Sequence, residues 1–71
     1  MDSKEQNFSR ISENRLAKIL VLLNQLTNLT NTSFYRYTEE DVERLFSEIE
    51  RATARSKQIL LNKAKTNKTE L

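Results

Sequence analysis

The densest group of chemically capable side chains in this sequence is acidic: Glu39, Glu40, Asp41 and Glu43 stand almost side by side. Clustered carboxylates can hold a hard cation through their oxygens, or share acid and base duties in a reaction. Neither use finds support around them. The spacing is not that of a calcium loop, and nothing nearby in sequence builds an apolar pocket that would tune a carboxylate. The chain has no histidine and no cysteine, which removes zinc spacings, thiolate nucleophiles and disulfides together. No enzyme, no metal site and no cofactor is expected. The four acids have a simpler use at the positive end of a helix dipole, directly after Thr38.

The second chemistry is cationic. From Arg51 onward the chain carries Arg51, Arg55, Lys57, Lys63, Lys65 and Lys68 against Glu70 alone. Arg44, Arg51 and Arg55 follow one another at spacings of 7 and 4, so a helix would place them on one face. A basic end of this kind can meet nucleic acid, an anionic membrane or an acidic protein, or simply complement the negative end of its own helix. A sequence-specific DNA reader concentrates contacts at a helix N-terminus, and this helix begins acidic. Nonspecific phosphate contact is the form the reading can take. It gives an alternative function, a nucleic-acid-associated accessory protein using Arg44, Arg51, Arg55, Lys57, Lys63 and Lys65.

Phe34, Tyr35 and Tyr37 surround Arg36 and form the third group. Such a cluster could stack on exposed bases. Aromatics that enter a helix also pack on its first turns, and Tyr37 directly precedes the proposed cap Thr38. The expectation is that Phe34 and Tyr37 seal the end of a core, with Tyr35 and Arg36 more exposed.

The elements that position these groups follow from composition and period. The chain has 71 residues, one small domain, without glycine or proline. Sheets need turn residues of those types, so the chain is expected to be all-α. Residues 1–8 read as a flexible polar lead, and Ser9 or Ser12 as the cap of a first helix over 9–28. Leu16, Ile19, Leu20, Leu23, Leu26 and Thr27 supply its amphipathic stripe. Val21 and Leu22 fall outside that stripe. They are either ordinary exposed aliphatics or a second contact surface.

Residues 29–38 form the connection, rich in Asn, Thr and Ser, which compete with the helical backbone for hydrogen bonds. Asn28 or Asn31, in the left-handed conformation, is the expected stop. The Asn-Leu-Thr, Asn-Thr-Ser and Asn-Lys-Thr sequons at 28, 31 and 67 read as chance products of this composition. Thr38 with Asp41 then approximates a capping box and opens a second helix over 39–65. Its stripe runs Val42, Leu45, Phe46, Ile49, Ala52, Thr53, Ser56, Ile59, Leu60 and Lys63, and Glu40 pairs favourably with Arg44. Residues 66–71 read as a disordered tail.

Residues Asn28-Leu29-Thr30-Asn31, Tyr35-Arg36-Tyr37-Thr38-Glu39-Glu40-Asp41-Val42, Leu45-Phe46 and Ile49-Glu50 resemble the junction of a group of small bacterial and mobile-element proteins. Those proteins carry a similar NLSN…YEYTEEDVEKIF stretch between two helices. The similarity spans roughly residues 15–57 and implies the hairpin alone, without an activity. Arg36 stands where an acid is common in that group.

A short connection between two helices favours antiparallel neighbours. A core of this size rarely supplies more than ~3–5 kcal/mol, and neither disulfides nor metals are on offer. The expected architecture is an antiparallel two-helix hairpin completed by self-association into a helical bundle, a homodimer first. The expected function is a non-enzymatic interaction module for itself and a protein partner, with Val21, Leu22, Leu29 and Tyr35 as contacts. The polar start and the shortness of the longest apolar run, Ile19 to Leu23, exclude a signal peptide and a membrane span from the reading, so a cytoplasmic protein is expected.

Overall fold

The structure, a computed structural model, describes residues 3–31 and 33–69, the side chains of 67–69 excepted. Its element order is α1 (Lys4–Thr27), a 3₁₀ turn (Asn28–Thr30) and α2 (Glu39–Thr69). The described residues contain no strand. The protein is all-α, in the helix–connection–helix order expected from its composition. The chain divides into two units, Met1–Arg36 and Tyr37–Leu71.

In the first unit, α1 starts well before the serines expected to cap it. Ser3 Oγ accepts from the Gln6 backbone N–H at 3.0 Å, and Gln6 Oε1 accepts from the Ser3 N–H at 3.3 Å. This is a complete capping box, and it satisfies two of the amides that a helix start leaves orphaned. The expected lead over 1–8 is therefore helical from Lys4; residues 1 and 2 lie outside the described ones. Ser12 sits inside the helix, where its Oγ donates to the Ser9 carbonyl at 3.2 Å.

The end of α1 also differs from expectation. Asn28 has right-handed dihedrals (φ −67°, ψ −11°), and its N–H reaches back to the carbonyls of Asn24, Gln25 and Leu26, tightening the chain into the 3₁₀ turn. Asn31 is extended (φ −71°, ψ 96°), and no described residue takes a positive φ. The stop uses the Asn31 side chain instead of a left-handed backbone. Asn31 Oδ1 accepts from Ser33 N–H at 3.0 Å, and its carbonyl accepts from Phe34 and Tyr35 at 3.2 and 3.1 Å. Such an Asx turn offers the backbone a substitute for helical bonds without leaving the common dihedral regions.

In the second unit, α2 begins where the sequence places it. Thr38 Oγ1 accepts from Asp41 N–H at 3.1 Å, Asp41 Oδ2 accepts from Thr38 N–H at 2.9 Å, and the Thr38 carbonyl takes the first helical bond from Val42 at 3.2 Å. The far end runs on to Thr69, past the expected limit at 65. Ala64, Lys65 and Lys63 favour helix, the cations suit its negative end, and Thr66 Oγ1 returns its proton to the Asn62 carbonyl at 3.0 Å. Of the expected tail over 66–71, residues 66–69 are helical in backbone, and residues 70 and 71 lie outside the described ones. At 31 residues α2 is about 46 Å long, against about 36 Å for the 24 residues of α1.

Candidate interaction surfaces

Among the described residues no side chain is fully buried, so neither unit encloses its own apolar stripe. On α1 the earlier start adds Phe8 and Ile11, exposed to 64% and 39%. Residues eleven apart on an α-helix return to within roughly 20° of the same direction, so Ile11 and Leu22 share a face. The apolar arc then takes in Phe8, Ile11, Leu16, Ile19, Leu20, Leu23 and Leu26, with Arg15 continuing the spacing between Ile11 and Ile19. Phe8 and Ile11 widen the stripe toward Leu22, which stands at its margin. Val21 does lie off it, and with Ala17, Lys18 and Leu22 it lines a shallow apolar depression.

The four residues expected to make contacts are thus placed unequally. Val21 and Leu22 are neighbours on α1 and more than half exposed. Leu29 belongs to the 3₁₀ turn and Tyr35 to the segment after the Asn31 turn. Tyr35 meets Phe34 edge-on, with ring centroids 6.5 Å apart and planes at 62°. Phe34 was expected to face a core; at 79% exposed, beside the Asn31 turn, it is the most solvent-facing of the large apolar side chains described. Tyr37 behaves closer to expectation. It precedes the Thr38 cap and, with Val42 and Phe46, lines an open concavity also bordered by Thr38, Glu39 and Glu43, the placement of a hydrophobic staple.

On α2, one polar member of the apolar stripe, Thr53, is made less polar by the helix itself. Thr53 Oγ1 donates to the Ile49 carbonyl at 2.8 Å, which hides its hydroxyl proton and leaves its methyl on the surface. Val42, Leu45, Phe46, Ile59 and Leu60 are all exposed. The stripe therefore runs nearly the length of the helix, large at both ends and small in the middle.

The acids at the start of α2 do not converge; among the described residues no group of three or more such side chains could hold a metal ion. Asp41 is committed to the cap. The backbone and hydroxyl hydrogen bonds from Thr38, together with the nearby Arg44, hold its carboxyl below the ordinary 3.8. Arg44 pairs with Asp41 at 3.6 Å, not with Glu40 as expected, and Arg51 pairs with Glu48 at 3.7 Å. These pairs are solvent-exposed and contribute little to stability.

The cations divide by direction. Arg44, Arg51 and Arg55 lie together on one side of α2 off the apolar stripe, Arg51 farthest from it and Arg55 nearest its flank, and Lys65 lies within roughly 40° of Arg51. Lys63 falls on the apolar stripe, and Lys57 flanks it. The six residues proposed for phosphate contact are not one patch, and two of its three arginines already face an acid.

No described helix is long and apolar enough to cross a membrane. Comparison with family models, curated proteins and solved structures finds no match for the chain, so the likeness at the junction rests on the residues over 28–50 alone.

Proposed function

We propose that this chain is a non-enzymatic interaction module that self-associates and presents helix surfaces to itself and to a protein partner. The observation that carries the reading is the exposure of both amphipathic stripes along two helices that leave no described side chain buried. Isolated helices are marginal in water without a packed face, and apolar surface in continuous stripes marks an interaction site more often than scattered exposure does. Burying a Leu, Ile, Val or Phe side chain contributes ~1.5–3 kcal/mol, so joining such stripes supplies what a chain of this length lacks.

The nucleic-acid reading retains one specific support. From Arg51 to Thr69 the chain holds no acid, so the second half of α2 is uniformly basic. Light-scattering mass on a sizing column at low salt, with absorbance at 260 and 280 nm, separates the two. A multiple of 8.4 kDa without nucleic-acid absorbance is expected. A peak whose 260 nm absorbance is stripped by salt overturns the interaction-module reading in favour of the other; a monomer at every concentration overturns self-association and either does the same or makes the protein partner obligatory.

A further inference from the structure

The charges of α2 are segregated along its axis and not only around it. Glu39, Glu40, Asp41, Glu43, Glu48 and Glu50 occupy its first part with Arg44 as the only base; Arg51, Arg55, Lys57, Lys63 and Lys65 occupy the second with no acid. A single helix of this kind is one acidic half followed by one basic half. Its own dipole explains the acids of the first turn and the bases of the last. That field fades within a turn of each end, so it does not explain Glu48 and Glu50 giving way to Arg51, Arg55 and Lys57 in the middle.

We infer that α2 pairs antiparallel with α2 of a second copy of this chain, apolar stripe on apolar stripe, each acidic half lying along the basic half of the other. The inference rests on the self-association reading and names its element and its orientation. A two-fold axis passing between Ala52 and Thr53 satisfies both the apolar and the charged side chains at once. It sets Leu45 and Phe46 level with Leu60 and Ile59 of the second copy, and Ile49 level with Ser56. The two-fold also brings like flanks together. On one flank Glu50 meets Lys57 of the second copy; on the other Glu48 meets Arg55, while Lys63, on the stripe itself, comes level with Val42 and beside Asp41. The parallel arrangement would instead align acid with acid and base with base, which disfavours it. The axis falls close to the middle of Glu39–Thr69, so the overlap is nearly complete. The stripe is small there, at Ala52, Thr53 and Ser56, and the Thr53 hydroxyl is already bonded to Ile49, so the backbones can approach at the crossing.

The absence of cysteine allows single spin labels to be placed without background. Ala54→Cys and Leu61→Cys sit two turns apart on the side of α2 away from the stripe, so labels there leave the pairing face intact. In the antiparallel pair, twin labels are offset along the axis by about 5 Å at 54 and about 25 Å at 61, with the same lateral separation. Electron–electron distance measurement on the assembled protein should therefore give a clearly longer distance at 61. Equal distances at the two sites, or no dipolar coupling at either in a particle of at least dimeric mass, overturn the α2 pairing and leave self-association standing. A monomeric mass at labelling concentration overturns both.

Discussion

Thr38 and Asp41 cap each other: the threonine hydroxyl takes the aspartate amide at 3.1 Å and the aspartate carboxylate takes the threonine amide at 2.9 Å. Two backbone donors that a helix start would leave open are thereby closed by side chains three residues apart. Thr38→Ala removes one arm and Asp41→Asn weakens the other. Losing such a cap costs ~0.5–2 kcal/mol. Either variant should lower the helical ellipticity at 222 nm and the midpoint of thermal unfolding, whereas Ser9→Ala, in the middle of α1, should lower neither. Equal loss in all three would show that the box contributes nothing.

The same carboxylate sets a pH dependence. Asp41 titrates below the ordinary 3.8 because Thr38 hydrogen bonds favour its charged form. A group whose folded pKa is depressed contributes stability that is fully present above the unfolded value and is lost as pH falls through the folded one. Helicity should therefore hold at neutral pH and decline on acidification below the ordinary carboxylate range. Asp41→Asn should flatten that decline while leaving the contribution of the other carboxylates. A wild-type acid profile indistinguishable from that of Asp41→Asn would refute the assignment.

The start of α2 was legible in sequence because threonine, acids and an apolar period coincide at one place. The start of α1 was not, because its apolar residues are sparse between Lys4 and Arg15. Phe8 and Ile11 are too widely separated from Ile19 to show a stripe unless the helix is already known to begin at Ser3. The signal that could have found it is local, a serine followed three residues on by glutamine. The Asn31 turn was half legible: composition marks an interruption, but not whether asparagine ends a helix through a left-handed backbone or through its side chain. That difference decides the position of Phe34. The charge segregation of α2 was visible from the start and needs only the expected helix over 39–65; the extension to Thr69 adds no contact to it, and the sparse apolar content there did not announce it.

Leu22 and Val21 are adjacent in sequence but differ in role on α1. Both line one depression with Ala17 and Lys18, but Leu22 stands on its stripe side, near the direction of Ile11, and Val21 on the far side. A buried, unpaired carboxylate is strongly unfavourable in an apolar contact. Leu22→Asp should weaken assembly well beyond tenfold, while Val21→Asp should change it little. Sedimentation across a concentration series reads both. The opposite order would mean that the contact surface is the Val21 side of the helix.

Charge exchange tests whether the two halves of α2 recognise each other. One variant carries Arg55→Glu and Lys57→Glu, giving a mid-helix acidic at all four contact positions; a second carries Glu48→Lys and Glu50→Lys, giving one basic at all four. Each alone sets like charges against each other at four contacts of an antiparallel pair. At ~0.2–1 kcal/mol for an exposed pair, the sum is about 1–4 kcal/mol, so each should self-associate roughly 5- to several-hundred-fold more weakly than the parent chain. Mixed together they restore opposite charges at all four contacts, so a heteromeric particle should form at the parental concentration range and should weaken with added salt. If instead the first variant assembles normally and only loses retained nucleic acid, the cations of α2 serve phosphate. If mixing fails to restore assembly, the arginines and lysines contribute to neither pairing nor orientation, and the apolar stripe acts alone.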